Sequence, residues 1–378
     1  MKLPKLQLPQ WCKSKPAKAL VTTVIVLLMV WVGRAVVVNT GALNPLSVAL
    51  EQFEFSDIYF HWHRGHNAEA ESDLVLVDIR YLHDREEIAT LLDSIAAHEP
   101  RLVALDVIFP PAVSLNAAAD SHLSAAVAAL GKKVVLAQNA VPLPEGGWRI
   151  EQSFMVDNQH VTTNPHTPQP TQGFVNLPVS VVRTAPTTVE VGDTAMPSFA
   201  AQVALLASGN AKLPTDPLID FGGTQLQTWT VVEEGFSLEA LRGRIVFVGD
   251  MGDLRDHHTV AAGSGGRTRL SGSEVHARAT AALLSPMPYR NLPRGWSIAI
   301  QILLIYLFCW LLFALPQTMD NWVHGALQLL FIVALLPVCY VLFVWLKVVC
   351  APTLALVGFG LAALAKNIVD VIPIFSKK

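Results

Sequence analysis

Long apolar runs fall at two places in this chain. Ala19–Val38 lies near the N-terminus, and Trp296–Leu315, Val323–Leu346 and Val348–Ala365 follow one another near the C-terminus. Each is close to the ~20 residues a helix needs to cross a hydrocarbon layer of roughly 30 Å. The stretch between them, residues 40–295, has no such run and carries shorter periodicities separated by polar loops. The pattern predicts four transmembrane helices flanking one large insert, the last two joined by a hairpin around Lys347 and Pro352.

Inside the insert, Leu46, Ala49, Leu50, Phe53, Ile58 and Trp62 recur at helical spacing, which predicts an amphipathic helix over Pro45–Trp62 leading away from the first span. Leu74–Ile79, Leu102–Phe109 and Lys133–Ala137 are short, continuously apolar runs of the kind buried parallel strands show. Between them, Asp84–Ala97 and Asn116–Leu130 read as helices. Asp84 is placed to cap the first, with Glu86 and Glu87 in its opening turn. Pro110 and Pro111 stop the second strand. Val141–Pro197 is rich in Pro, Thr, Gln and Asn and predicts irregular structure with short strands. Pro197–Ser208 then predicts a helix, Leu218–Phe221 a short strand, Leu238–Arg242 a lead-in to the strand Arg244–Val248, and Gly272–Leu284 a helix towards the membrane. Consecutive strand–helix–strand crossovers imply an α/β domain, a mostly parallel sheet with helices on both faces.

Charge sets the expected orientation. Lys2, Lys5, Lys13, Lys15 and Lys18 precede the first run and Lys366, Lys377 and Lys378 follow the last, so both ends are expected in the cytoplasm and residues 40–295 outside it. Residues 1–18 and 366–378 are then short cytoplasmic segments around the spans 19–38 and 296–365. The loop Gln317–Asn321 is assigned to the same side but carries Asp320 and no basic residue. The first run is longer than a cleaved signal core and no clear small-residue cleavage site follows it, so it is expected to stay as an anchor. Hydrophobic residues are 52% of the chain and charged residues 15%, in keeping with a multi-pass membrane protein. Cys12, Cys309, Cys339 and Cys350 lie in or beside the membrane segments and none lies in the insert, which excludes a disulfide or a cysteine-ligated zinc site there.

Parallel sheets bind ligands beyond the carboxyl ends of their strands, and Asp78, Asp106 and Asp250 occupy such positions. Asp253, Asp256, His257 and His258 follow the last strand, before the glycines Gly263, Gly265 and Gly266. The aspartates Asp78, Asp106, Asp250, Asp253 and Asp256 are therefore the candidate ligand-binding residues; capping of turns and helices by the same carboxylates is the competing reading. Adjacent histidines cannot share a face of a regular element, which weighs against a metal site. No GxxxxGK[ST], GxGxxG or GxSxG sequence stands at a strand end, so no cofactor and no enzymatic activity is expected. The insert has no basic patch with interleaved aromatics, and nucleic acid is not an expected partner.

The segments FEFSDIYFHW, LVLVDI, RLVALDVIFPP, PSFAAQVAL and LRGRIVFVGDMGD, with SGSEVHARATAALL after them, resemble the type-2 CHASE domain over about residues 45–365. Ser271–Ala277 is the most specific part. The loop DLRDHHTVAAGSGGRTRL departs from the resemblance by its length and polarity. The resemblance implies an extracytoplasmic sensory module of a bacterial inner-membrane receptor, answering to a small-molecule or protein stimulus. Family architectures commonly continue into a cytoplasmic kinase or cyclase. Here the chain stops about a dozen residues after the last run, so the output is expected from a separate membrane or cytoplasmic partner. A structural membrane subunit whose insert docks a protein partner is the alternative. Ala355, Gly358 and Ala362 fall at helical spacing and predict close helix approach.

Overall fold

The computed structural model describes residues 14–40, 54–64, 70–110, 116–156, 170–178, 180–210, 212–231, 237–261, 267–316 and 321–372. In chain order the elements are α1 (Lys15–Thr40), α2 (Phe55–Arg64), β1 (Ala70–Asp78), α3 (Arg85–Ala97), β2 (Leu102–Asp106), α4 (Ala117–Leu130), β3 (Val134–Pro142), β4 (Trp148–Gln152) and β5 (Thr171–Phe174). They continue with β6 (Thr188–Val191), β7 (Thr194–Pro197), α5 (Phe199–Ser208), β8 (Thr224–Thr230), β9 (Ile245–Gly249), β10 (His257–Ala261), β11 (Arg267–Ser271) and α6 (Gly272–Leu284). The last are β12 (Arg290–Asn291), α7 (Arg294–Ala314), α8 (Asn321–Leu346), β13 (Val348–Val349) and α9 (Thr353–Val371). Two compact units result, one from Met1–Tyr59 with Asn291–Lys378 and one from Phe60–Arg290.

The second unit is built on a sheet in the order β4-β3-β2-β9-β1-β8, with β5 also paired to β3. All pairings but β3 with β4 are parallel. Side chains alternate across a strand, so the apolar runs feed two cores. Val75, Val77, Val103, Leu105, Val246 and Val248 face Ile88, Leu92 and Ile95 of α3 and Leu123 and Val127 of α4. Leu74, Leu76, Leu102, Ala104, Ile245 and Phe247 face Phe199 and Val203 of α5 and Ala277 of α6. This is the mostly parallel α/β architecture that the strand–helix alternation predicts. A third core, with Val182, Ala185, Ile219, Phe221 and Val260, buries the other side of α5 and α6.

Several expectations are corrected. Leu218–Phe221 is not a sheet strand: Leu218 N–H donates to Tyr289 O and Ile219 N–H to Arg183 O, tying an extended segment over α5 and α6. The edge strand is instead β8, whose sequence TQLQTWT needs no continuous apolar run because it pairs with β1 alone. β2 ends at Asp106 and not at Phe109, and Leu238–Leu241 is a 3₁₀ turn. Within the polar stretch 141–197, β3 runs on to Pro142 and β4 returns antiparallel to it. The N-terminal part of the predicted helix Pro45–Trp62 lies outside the described residues, as do Gln317–Asp320, Gly263–Gly266 and the terminal lysines Lys2, Lys5, Lys13, Lys377 and Lys378.

Among the described residues, the other unit holds four helices long and apolar enough to cross a membrane. The last starts at Thr353, not at Val348: Lys347 turns the chain with φ 55°, and Val349 O then accepts from Leu292 N–H at 3.0 Å. Ala19 and Val26 of α1, Ile305, Phe308 and Leu312 of α7, and Ala355, Phe359 and Ala362 of α9 share one core. The small-residue expectation holds, for a Cβ on Gly358 would stand 2.5 Å from Ile305 Cδ1. At one end, the Lys18 and Lys366 ammoniums lie 5.8 and 5.5 Å from the centre of the Phe313 ring.

Gly173 shows how tightly the sheet and α5 are fitted. A Cβ there would meet the Phe199 Cα, a backbone atom that cannot swing aside, at 2.6 Å. Gly173→Ala is expected to cost about 1–3 kcal/mol, whereas Gly295→Ala, on a helix with nothing within 4 Å, is expected to be neutral or slightly stabilising. Thermal unfolding of the full chain in detergent checks this; equal melting temperatures for the two variants would contradict the packing.

Candidate functional site

The last strand of the sheet, β9, slots between the first two. Asp78 and Asp106 therefore flank Gly249 in register at the carboxyl edge. Over Gly249 stands the first turn of α6, so close that a Cβ on Gly249 would be 2.1 Å from Ser273 Oγ. The Ser271–Ala277 stretch explains this turn residue by residue. Ser271 caps the helix, accepting from Glu274 N–H at 3.3 Å while the Glu274 carboxylate accepts from Ser271 N–H at 3.2 Å. Gly272 N–H donates to Asp256 Oδ2 at 3.2 Å, in a space a Cβ would fill. Ser273 Oγ donates to Asp106 Oδ2 at 2.7 Å. Val275, His276 and Ala277 turn inward, the His276 ring standing edge-on to Phe199 at 5.4 Å.

This corner is electrostatically unusual. Burial raises the Asp106 carboxyl above the usual range, against the pull of His276 and the Ser273 hydrogen bond. Burial lowers His276, against the pull of Asp106 and Asp256, and His258 bears on both groups. Ser273 is buried and directs its hydroxyl at the Asp106 carboxyl rather than at the His276 imidazole, clasping α6 to β2.

The five candidate aspartates separate. Asp78 is buried and accepts from Arg80 N–H and Met251 N–H at 3.1 Å each, besides pairing with the Arg80 side chain. It clamps β1 to the start of the next loop. Asp250 is exposed and closes a turn by accepting from Gly252 N–H at 2.7 Å. Asp253 caps the 3₁₀ turn Leu254–Asp256 and takes two hydrogen bonds, at 3.0 and 2.9 Å, from the Arg255 guanidinium, which hold its carboxyl below the usual range. Asp256 joins Gly272 N–H to His258 Nε2, the latter at 3.3 Å. His257 and His258 begin β10 and so point to opposite faces.

Only Asp253 and Asp256 line an open cleft, of about 1000 Å³, at this edge of the sheet. Its other walls are Arg255, Ile108, Pro110, Asn139 and the segment Ile150–Phe154 of β4 and the turn after it. Glu151 on that wall is held by Arg149 at 2.6 Å and by Asn139 at 3.3 Å. Sequence reasoning missed Glu151 and Asn139, because the pairing that brings them to the cleft is the antiparallel turn-back of β4 on β3, inside a stretch with no clear periodicity. Capping accounts for Asp78 and Asp250; the cleft draws on the other end of the same loop.

A family model described as the CHASE2 domain matches residues 24–316, which is well over half of the chain. The match begins within α1 and ends just after α7, so α8 and α9 lie beyond it, unlike the wider resemblance read from the sequence. No curated protein and no solved structure matches the chain.

A carboxyl raised on folding contributes stability that is lost as pH climbs past ~4 towards its folded value, and a lowered imidazole contributes stability that is lost as pH drops below ~6.5. Asp106→Asn keeps an acceptor for Ser273 and removes the buried charge. It is expected to raise the melting temperature at pH 7.5, with the gain shrinking towards pH 5. Melts across that range decide; a variant that loses more at pH 7.5 than at pH 5 would show the carboxylate charge to be a net stabiliser.

Proposed function

The chain belongs to the CHASE2 domain family, a family of sensory domains, and from that premise we propose that it is a multi-pass receptor of the bacterial inner membrane whose α/β unit lies outside the cytoplasm. The observation that carries the reading is the cleft beside Asp253, Arg255 and Asp256. Its loop is fastened directly to the first turn of α6, and residues 285–293 are all that separate α6 from α7, the next candidate span.

Lining charges suggest the stimulus. Glu151, Asp253 and Asp256 outnumber the single guanidinium of Arg255, which is itself engaged by Asp253. Ile108, Ile150 and Phe154 supply apolar surface. Such a cleft suits a small organic solute bearing an amine, alone or with a carboxylate. A ligand that bridges the two walls draws the Leu254–Asp256 turn towards β4. The bond between Asp256 and Gly272 passes that displacement to α6, and the chain carries it on to α7. A membrane or cytoplasmic partner then reads the shift. Differential affinity of about 1–3 kcal/mol between two arrangements suffices for such coupling.

Orientation is supported by the basic residues. Lys15, Lys18 and Lys366 belong to one end of the bundle, where Lys15 Nζ reaches Ala314 O at 3.4 Å, and the positive-inside rule assigns that end to the cytoplasm. Trp296 and Trp345, 68% and 76% exposed, stand where an outer interfacial belt belongs. The apolar flanks of the four helices, such as Leu28, Leu303, Leu329 and Leu364, are left exposed for lipid.

Two measurements test the reading. A cysteine replacing the exposed Leu254 is expected to react with a membrane-impermeant maleimide in intact spheroplasts; labelling only after lysis would place the domain in the cytosol. The full chain in detergent, screened by thermal shift against amino acids, amines and polyamines, is expected to show saturable stabilisation, worth about 2.7 kcal/mol at a hundredfold excess over Kd. Glu151→Gln is expected to weaken the hit about tenfold, a change of ~1.4 kcal/mol, without lowering the melting temperature of the free protein. An unresponsive panel together with a stoichiometric protein complex from membranes would favour a docking subunit instead.

A further inference from the structure

The helical unit holds a second cavity, of about 600 Å³, onto which Arg34 of α1 and Arg294 of α7 both open. Its floor is closed by Gln301, a buried side chain whose groups are already satisfied: Oε1 accepts from Ala355 N–H at 3.1 Å, and Nε2 donates to Ser297 O and Ser297 Oγ at 3.1 Å. The two arginines differ from this floor. Both are exposed, and among the described residues neither has a hydrogen bond or an ion pair. Arg294 is also the first residue of α7, where the helix dipole disfavours a cation unless an anion shares the space.

The walls are apolar, with Phe55, Leu292, Ile298 and Leu354, and Glu54 is the one carboxylate on them. Ile298 and the neighbouring Trp296 are 42% and 68% exposed, so the opening lies along the lipid-facing flank of α7. Two guanidiniums presenting planar donor forks, one carboxylate and an apolar wall open to the flank match a phosphodiester, an ammonium and the first acyl carbons. We propose that this cavity binds the headgroup of a glycerophospholipid, its phosphodiester held between Arg34 and Arg294. An amine on the headgroup turns to Glu54. The lipid then bridges α1 and α7, the spans on either side of the sensory unit in the chain. This inference rests on the membrane reading of the helices and is independent of the ligand cleft.

Native mass spectrometry of the full chain, with release of added lipid measured, tests it. The probes are phosphatidylethanolamine, phosphatidylglycerol, diacylglycerol with the same acyl chains, and inorganic phosphate. Wild type is expected to retain both phospholipids and not diacylglycerol. Arg34→Gln with Arg294→Gln is expected to lower phospholipid retention about tenfold, and Arg34→Lys with Arg294→Lys to fall between, since lysine keeps the charge without the fork. Glu54→Gln is expected to narrow the preference for phosphatidylethanolamine over phosphatidylglycerol. Diacylglycerol binding wild type as well as the phospholipids would overturn the phosphodiester assignment even if the double variants fail to fold. Unchanged retention in a folded double Gln variant would overturn it too, and inorganic phosphate displacing the lipids at equal concentration would overturn the lipid source. Protein that does not enter lipid nanodiscs would instead refute the membrane reading.

Discussion

The contact between the end of β9 and the first turn of α6 holds the carboxyl edge of the sheet together. It exists only because residue 249 lacks a Cβ, since Ser273 Oγ occupies the place a side chain would need. From it follow the Ser273 bond to Asp106, the Asp256 bond to Gly272 and the inward turn of His276 against Phe199. Central placement of β9 makes the contact consequential. A last strand at an edge would leave its loop at the periphery, whereas here the loop begins between Asp78 and Asp106, at the middle of the carboxyl edge.

Polar groups near this contact satisfy each other. Asp78 takes two backbone amides and a guanidinium, and its burial is tolerable for that reason. Asp106 and His276 are pushed by burial towards their neutral forms. The Ser273 hydroxyl given to the Asp106 carboxyl joins α6 to the end of β2. The charged groups of Asp253, Arg255 and Asp256, paired with one another or with their neighbours, lie further along the loop and line the cleft.

Within the helical unit, the same economy of side-chain volume operates in a different medium. Small residues on α9 bring it close to α7, as the contact of Gly358 with Ile305 shows. Gln301 satisfies the Ala355 amide in the first turn of α9, where no intrahelical acceptor exists. Van der Waals fit and a few interhelical hydrogen bonds must do here what water-driven burial does in the α/β unit.

Periodicity and composition alone specify a good deal of this. The first three long apolar runs, the strands within LVLVDI, LVALDV and RIVFV, and the cap Asp84 each depend on neighbours within a few residues, and they emerge close to where they are read. What local pattern cannot specify is pairing. Nothing in TQLQTWT announces an edge strand, because one side of an edge strand makes no ladder and its side chains need no uniform apolarity. Nor does any short-range signal place β9 between β1 and β2, return β4 to bring Glu151 to the cleft that Asp256 lines, or delay the start of the last span to Thr353. The sequence by itself determined most of the long helices and central strands and the mostly parallel α/β class. Only the tertiary structure decided which aspartates line the cleft and which stay outside it, since that depends on strand order and on the one glycine that lets α6 close over the sheet.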